Sequence, residues 1–319
     1  MRKTLGALAL LLLLAMGVVV NSLRPAPNVK ARDAVGKRVL ISAQLTPGRA
    51  LTTDIEYYAS GGGDRIVLLA SLGREASDFN ELVAKLNSAG FRTLVVEHQG
   101  IGASSPSLPG LNAAAFPIFK TLENDGYLDD GKPFYFIGHA YGNRIARLTS
   151  TYFSGDNPSL PKLSGTILLA AGGQVPMPPK AEKSLKNIFN PLRAYRSRMN
   201  DVRYAFFADG NEIPDYWKRG WHTKTAMTQA KSVANSADDD SWHCAGGVPM
   251  LIVQPMKDKI APIENAYALK EKCSQDVEIV EVQNAGHALL PEQPQAVATA
   301  VLDFLAKHHP TDENKQDSP

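Results

Sequence analysis

The sequence predicts an α/β fold: a mostly parallel central sheet, helices on both of its faces, and a helical cap inserted between two strands. Three observations carry this reading. Short continuous apolar runs such as Arg65–Ala70 have the character of strands buried on both faces, as in parallel sheets. Segments of helical periodicity alternate with these runs, which marks βαβ units. The alternation breaks once, for about 75 residues between Ala171 and Gly247, where the chain becomes helix-prone and carries Phe206, Phe207, Trp217, Trp221 and Trp242.

In chain order, residues 22–37, with Pro25 and Pro27, read as a linker, and two opening strands follow at 38–46 and 51–60, ended by Gly61-Gly62-Gly63. After strand 65–70, a helix is expected over 77–89, because Phe79, Leu82, Val83 and Leu86 recur at helical spacing and Gly90 suits its C-terminus. Strand 91–97, helix 116–124, strand 133–137, helix 143–153 and strand 163–171 continue the alternation. Beyond a cap at about 174–246, strands 248–254 and 277–282 each precede a helix, at 264–273 and 294–308. The cap aromatics read as a small core of their own, with a pocket lining as the sharper alternative. Asp239 and Asp240 read as a solvated turn and residues 308–319 as a disordered polar tail. His308 and His309 would suggest a metal only with further ligands, which the sequence does not supply nearby.

Met1-Arg2-Lys3 gives a basic start to sixteen uncharged residues, Leu5 to Val20, the pattern of a signal peptide. The run is short for a membrane span, which takes about 20 residues, and no small-residue cleavage site follows closely. Residues 1–30 are therefore expected to export the protein, to a periplasmic or secreted location, as a cleaved signal or as an anchor touching the membrane through residues 5–20. The four basic residues before position 31 face no acidic ones, which leaves 30 Lys and Arg against 32 Asp and Glu in the remainder and argues against a nucleic-acid partner. With 44% hydrophobic and 21% charged residues the chain belongs among ordinary globular proteins. Its two cysteines, Cys244 and Cys273, either pair as a disulfide in an oxidising compartment or stay unrelated buried thiols; two alone make no metal site, and no cofactor is expected.

The chemistry concentrates where strand 133–137 runs into Gly138-His139-Ala140-Tyr141-Gly142 and then a helix. G-x-S-x-G between a buried strand and a helix is the nucleophile elbow, whose small flanking residues permit a sharp turn that lifts the central side chain above the sheet. Both glycines are present, but Ala140 occupies the centre. Asp258 just past one late strand and His287 just past the last complete the order nucleophile, acid, base. Such residues can meet at the carboxyl edge of the sheet, where open α/β folds bind ligands. Taken singly, Asp258 could be a helix cap and His287 a structural histidine; the spacing and order together favour a dyad.

These features resemble the α/β-hydrolase superfamily over residues 38–307: the elbow, Asp258-Lys-Ile-Ala-Pro262, Gly286-His-Ala-Leu-Leu-Pro291, and Gln99-Gly-Ile-Gly-Ala-Ser104 after the fourth strand. The chain is most similar to a group of bacterial members that read G-H-A-F-G-N at the elbow. That likeness makes Ala140 a native residue, although a Ser→Ala substitution would leave the same trace. The resemblance implies oxyanion donors at the backbone N–H groups of Leu72 and Tyr141 and a structural role for His139 beside the sheet, while Arg144 and Arg147 read as helix-surface residues. The loop Ala70-Ser71-Leu72-Gly73-Arg74 departs from the usual His-Gly form, which backbone donors tolerate.

Alanine has no oxygen with which to attack, so the covalent route through residue 140 is closed. The resemblance then implies hydrolase-like chemistry on a small apolar ester, amide or ketone, with His287, oriented by Asp258, acting as general base. A second route uses the hydroxyl of Ser71 or Ser104, neither of which an elbow presents. The alternative class is a catalytically inactive module that binds a small ligand or a partner protein. An intact His287–Asp258 contact facing an open pocket would favour the enzyme; a pocket filled by Tyr141 or cap aromatics would favour the binder.

Overall fold

The computed structural model describes residues 6, 10–17, 29–46, 49–106, 109–124, 134–154, 163–236, 241–273 and 276–309. Eight strands form one sheet: β1 (Lys37–Thr46), β2 (Arg49–Ser60), β3 (Arg65–Leu69), β4 (Arg92–Val96), β5 (Phe134–His139), β6 (Leu163–Leu169), β7 (Met250–Pro255) and β8 (Val277–Val282). Their order is β1-β2-β4-β3-β5-β6-β7-β8. Strands β3 to β8 pair in parallel, and β2 runs antiparallel to both β1 and β4. Strands β3, β5, β6 and β7 are buried along their whole length, as their unbroken apolar runs demand.

The helices are α1 (Asn80–Ser88), α2 (Leu111–Asn124), α3 (Tyr141–Phe153), α4 (Pro179–Ile188), α5 (Tyr195–Phe206), α6 (Thr223–Ala234), α7 (Glu264–Lys272), α8 (Leu289–Glu292) and α9 (Pro294–Lys307). One face of the sheet packs on α1 and α9 through Leu82, Leu86, Val297, Val301 and Phe304. The other packs on α2 and α3 through Leu111, Ile118, Leu122, Ile145 and Leu148. Helix α2 begins five residues before the expected start at Phe116, and Pro117 lies inside it. Proline reads as a helix start because its missing N–H is harmless in the first turn; here one interior hydrogen bond is given up instead.

Helices α4, α5 and α6 occupy the break in the alternation, between β6 and β7. Phe206, Phe207, Trp217 and Trp221 pack there with Ile188 and Val202 in a cluster of their own, whereas Trp242 joins the core beneath α3. Cys244 and Cys273 form a disulfide, which resolves the two alternatives for the thiols. Asp239, Asp240, the tail beyond His309 and most of residues 1–28 lie outside the described residues. Among the described residues no helix is long and apolar enough to cross a membrane. His308 does meet two carboxylates, Asp276 and Glu278, which sequence spacing could not bring together, and Lys307 pairs with both, at 3.6 Å and 2.8 Å, so one of their charges is already offset.

Candidate active site

Parallel strands end at one edge, and five of them deliver the candidate site there. The turn from β5 to α3 is the sharpest element. Ala140 has φ 51° and ψ −105°, a region where a Cβ crowds the backbone. Its N–H donates to Leu169 O at 3.0 Å, and its carbonyl accepts from Asn143 N at 3.1 Å, so both flanking elements hold the turn. A Cβ on Gly138 would lie 2.4 Å from Gly142 O, and one on Gly142 would lie 2.1 Å from Leu69 O. The two elbow glycines are therefore steric requirements of the turn, whatever residue stands between them.

Asp258 follows β7 and His287 follows β8. His287 Nδ1 and Asp258 Oδ2 are 2.8 Å apart, and both residues are buried. The other carboxylate oxygen, Oδ1, accepts the N–H groups of Ile260 and Ala261 at 2.8 Å each, which fixes the carboxylate plane. With Nδ1 engaged by Asp258, Nε2 of His287 has no partner among the described residues. The ring of Phe206, at the end of α5, packs edge-on against the imidazole with centroids 5.3 Å apart.

His139, expected to play a structural part beside the sheet, and Glu292, which the sequence did not single out, hold this geometry. His139 Nε2 donates to the His287 carbonyl at 2.8 Å. Burial, reinforced by the neighbouring His287, holds the His139 imidazole down to about 3, so it stays neutral as a positioning group. Glu292 accepts from Gly286 N, Ala208 N and Asn211 Nδ2, each at 2.7 Å, and so ties the histidine loop to the cap. The motifs marked His139 and the histidine loop, but the partners of Glu292 in the cap, Ala208 and Asn211, lie more than 80 residues away and carry no local signal.

The loop after β3 is held just as firmly. His98 Nε2 donates to Ala70 O at 2.7 Å, Gly73 N donates to Gln229 Oε1 at 2.7 Å, and His222 N donates to Gly73 O at 2.9 Å. Arg74 is wholly buried. It pairs with Asp78, lies over the faces of Trp217 and Trp221, and donates to the carbonyls of Arg219 and Gly220. Gly73 N and Ala140 N are taken, whereas the N–H groups of Leu72 and Tyr141 have no acceptor among the described residues. Leu72, Ala140, Tyr141 and His287 all line one cavity of about 410 Å³, to which Met177, Leu185, Phe206 and Val233 of the cap region also contribute.

The two reserve hydroxyls separate. Ser71 lines this cavity but makes no hydrogen bond to His287. Ser104 is turned away, donating to Glu97 O at 3.2 Å and accepting from Glu56 N at 2.9 Å. The two arginines of α3 are not surface residues. Arg147 is fully buried over Trp242, and Arg144 lines the cavity. Their charge suggested an exposed helix face, but α3 is enclosed by the sheet on one side and by the cap region on the other.

A mostly parallel sheet with an elbow after β5, an acid after β7 and a histidine after β8 defines the α/β-hydrolase fold. The family model for the alpha/beta hydrolase family matches residues 66–300, and the chain belongs to that family. It is 24% identical over 205 residues to the monoacylglycerol lipase ABHD6 of Mus musculus, a match covering 58% of each chain, so this chain spans little more than half of that relative. Among solved structures it is similar to the carboxylesterase CesB of Bacillus subtilis, with a TM-score of 0.67 at 15% identity over 92% of this chain and 98% of that one. It is also similar to a thermophilic esterase of Thermogutta terrifontis, with a TM-score of 0.66 at 19% identity over 86% and 100% of the respective chains. At such identities these likenesses establish the fold.

Proposed function

We propose that the protein hydrolyses a small, largely apolar ester, or a related amide, by general-base catalysis without a covalent intermediate at residue 140. The observation that carries this reading is the 2.8 Å contact between His287 Nδ1 and Asp258 Oδ2 at the wall of an open cavity. In the proposed reaction the substrate carbonyl oxygen faces the N–H groups of Leu72 and Tyr141. Water attacks the carbonyl carbon and gives its proton to His287 Nε2. The tetrahedral oxyanion is stabilised by the two donors, and the imidazolium then protonates the leaving group. Asp258 keeps Nδ1 protonated and offsets the charge that forms on the ring. General acid–base catalysis of this kind contributes about 10²–10⁴-fold, and the oxyanion donors add to it.

A second reading has one observation of its own. Ala140 preserves the strained elbow geometry but carries no nucleophile, as expected of a binding module derived from a serine hydrolase, or of a serine enzyme inactivated by substitution. The open cavity counts against a filled, purely structural pocket. Export through the N-terminal segment belongs to the same proposal, supported by the basic start before Leu5–Val20 and by the Cys244–Cys273 disulfide. The catalytic reading is tested with Asp258→Asn, which retains the side-chain shape but favours the wrong imidazole tautomer. Ester turnover should fall at least 100-fold with no acyl adduct detectable by mass spectrometry; turnover unchanged in this variant would reject the dyad.

A further inference from the structure

The cavity carries a cation that the hydrolytic reading does not use. Arg144 sits one helical turn beyond Ala140 on α3, and its guanidinium lies against Gly173 in the loop after β6. A Cβ at Gly173 would come within 2.4 Å of Arg144 Nη2, so the guanidinium sits close against this glycine. Among the described residues Arg144 makes no ion pair or hydrogen bond. Arg147, on the next turn, donates among the described residues to the carbonyls of Asn143 and His243 and lies over the face of Trp242. Burial weakens the hold of both guanidiniums on their protons, and for Arg147 the neighbouring Arg144 adds to the effect.

Two guanidiniums, Arg147 buried and Arg144 partly so, with no carboxylate partner among the described residues are a costly arrangement unless a ligand supplies the countercharge. Of the residues lining the cavity, Glu182 is the one carboxylate, and it is half exposed and paired with Lys186. Apart from Ser71, Tyr141 and His287, the rest of the described wall is apolar, with Leu72, Val175, Met177, Leu185, Val233 and Ile260. Among the described residues Arg144 is the only lysine or arginine on that wall, which fits a monoanion better than a phosphate monoester.

We propose that this cavity binds an apolar molecule bearing a single carboxylate, held by Arg144 with its apolar body against the cap. The site goes beyond the hydrolytic reading and stands whether the cavity serves catalysis or binding alone. A guanidinium accepts a carboxylate in two parallel hydrogen bonds, so the charged head sets orientation and the apolar wall sets affinity.

The test is calorimetric titration of the full chain with octanoate, octan-1-ol and octyl phosphate. Octanoate should bind about 10- to 100-fold tighter than octan-1-ol, the range expected of hydrogen bonds to a charged group. Arg144→Met should abolish that preference and leave octan-1-ol affinity within about twofold; Arg144→Lys should keep part of it. Circular dichroism of each variant separates loss of the subsite from loss of the fold. Equal binding of acid and alcohol by the unaltered chain, no binding of either, tighter binding of octyl phosphate than of octanoate, or a preference that survives Arg144→Met would each overturn the proposal. Because no turnover is measured, its failure is distinct from failure of the dyad, which is read from neutral esters.

Discussion

Replacing Ala140 by glycine should stabilise the protein, because the elbow keeps its strain after losing its nucleophile. At φ 51° and ψ −105° the backbone of Ala140 occupies a region that a Cβ disfavours, at a cost of order 1–3 kcal/mol. Nothing releases it. The bonds from Ala140 N to Leu169 O and from Asn143 N to Ala140 O pin the turn, and the close approach of Gly142 to Leu69 O leaves it no room to open. Glycine removes the steric term and loses about 0.5–1 kcal/mol in chain entropy, for a net gain of about 1 kcal/mol. In a domain of this size that raises Tm by about 2–4 °C. Scanning calorimetry of the unaltered chain, Ala140→Gly and Ala140→Ser checks it, with the serine variant expected within about 1 °C of the parent because it keeps a Cβ. A lower Tm for Ala140→Gly would show that the conformation is unstrained, and would refute the claim that the turn is imposed by its surroundings.

Two further predictions concern stability. Burial, with Glu75 and then Glu56 nearby, pushes the Glu97 carboxyl up to about 8. The folded state therefore holds a proton that the unfolded chain gives up near its ordinary value, and Glu97 contributes stability that is lost as pH rises from about 4.5 to 8, on the order of 1 kcal/mol per pH unit. Glu97→Gln should flatten urea midpoints across pH 5–8, and an unchanged slope would contradict this; His139, held down to about 3, acts in the opposite direction below about pH 6.5. Reducing the Cys244–Cys273 disulfide, which spans a separation of 29 residues, removes a loop constraint of about 3.5 kcal/mol. Urea midpoints with and without a thiol reductant should differ accordingly, and identical midpoints would contradict it.

The sequence revealed what is local or ordered along the chain. Gly138 and Gly142 flank the elbow at fixed spacing, Asp258 and His287 follow strands recognisable as apolar runs, and the parallel sheet then brings them together. It concealed what depends on distant partners. Nothing near Arg74 points to Arg219 or Gly220, and nothing near His139 points to the His287 carbonyl. Arg144 and Arg147 were misjudged because charge on a helix ordinarily marks its solvent face, a rule that fails where a cap covers that face. Helix α2 starts earlier than 116 because its first turns, through Leu111 and Ala115, pack in the core against partners distant in the chain.

Turnover of short-chain p-nitrophenyl esters by the unaltered chain, His287→Ala and Ala140→Ser bears most directly on the dyad. Hydrolysis by the unaltered chain that falls about 100-fold or more in His287→Ala is the predicted result. An inert parent whose Ala140→Ser variant gains activity, abolished in turn by His287→Ala, would contradict it and leave a hydrolase scaffold disarmed at residue 140.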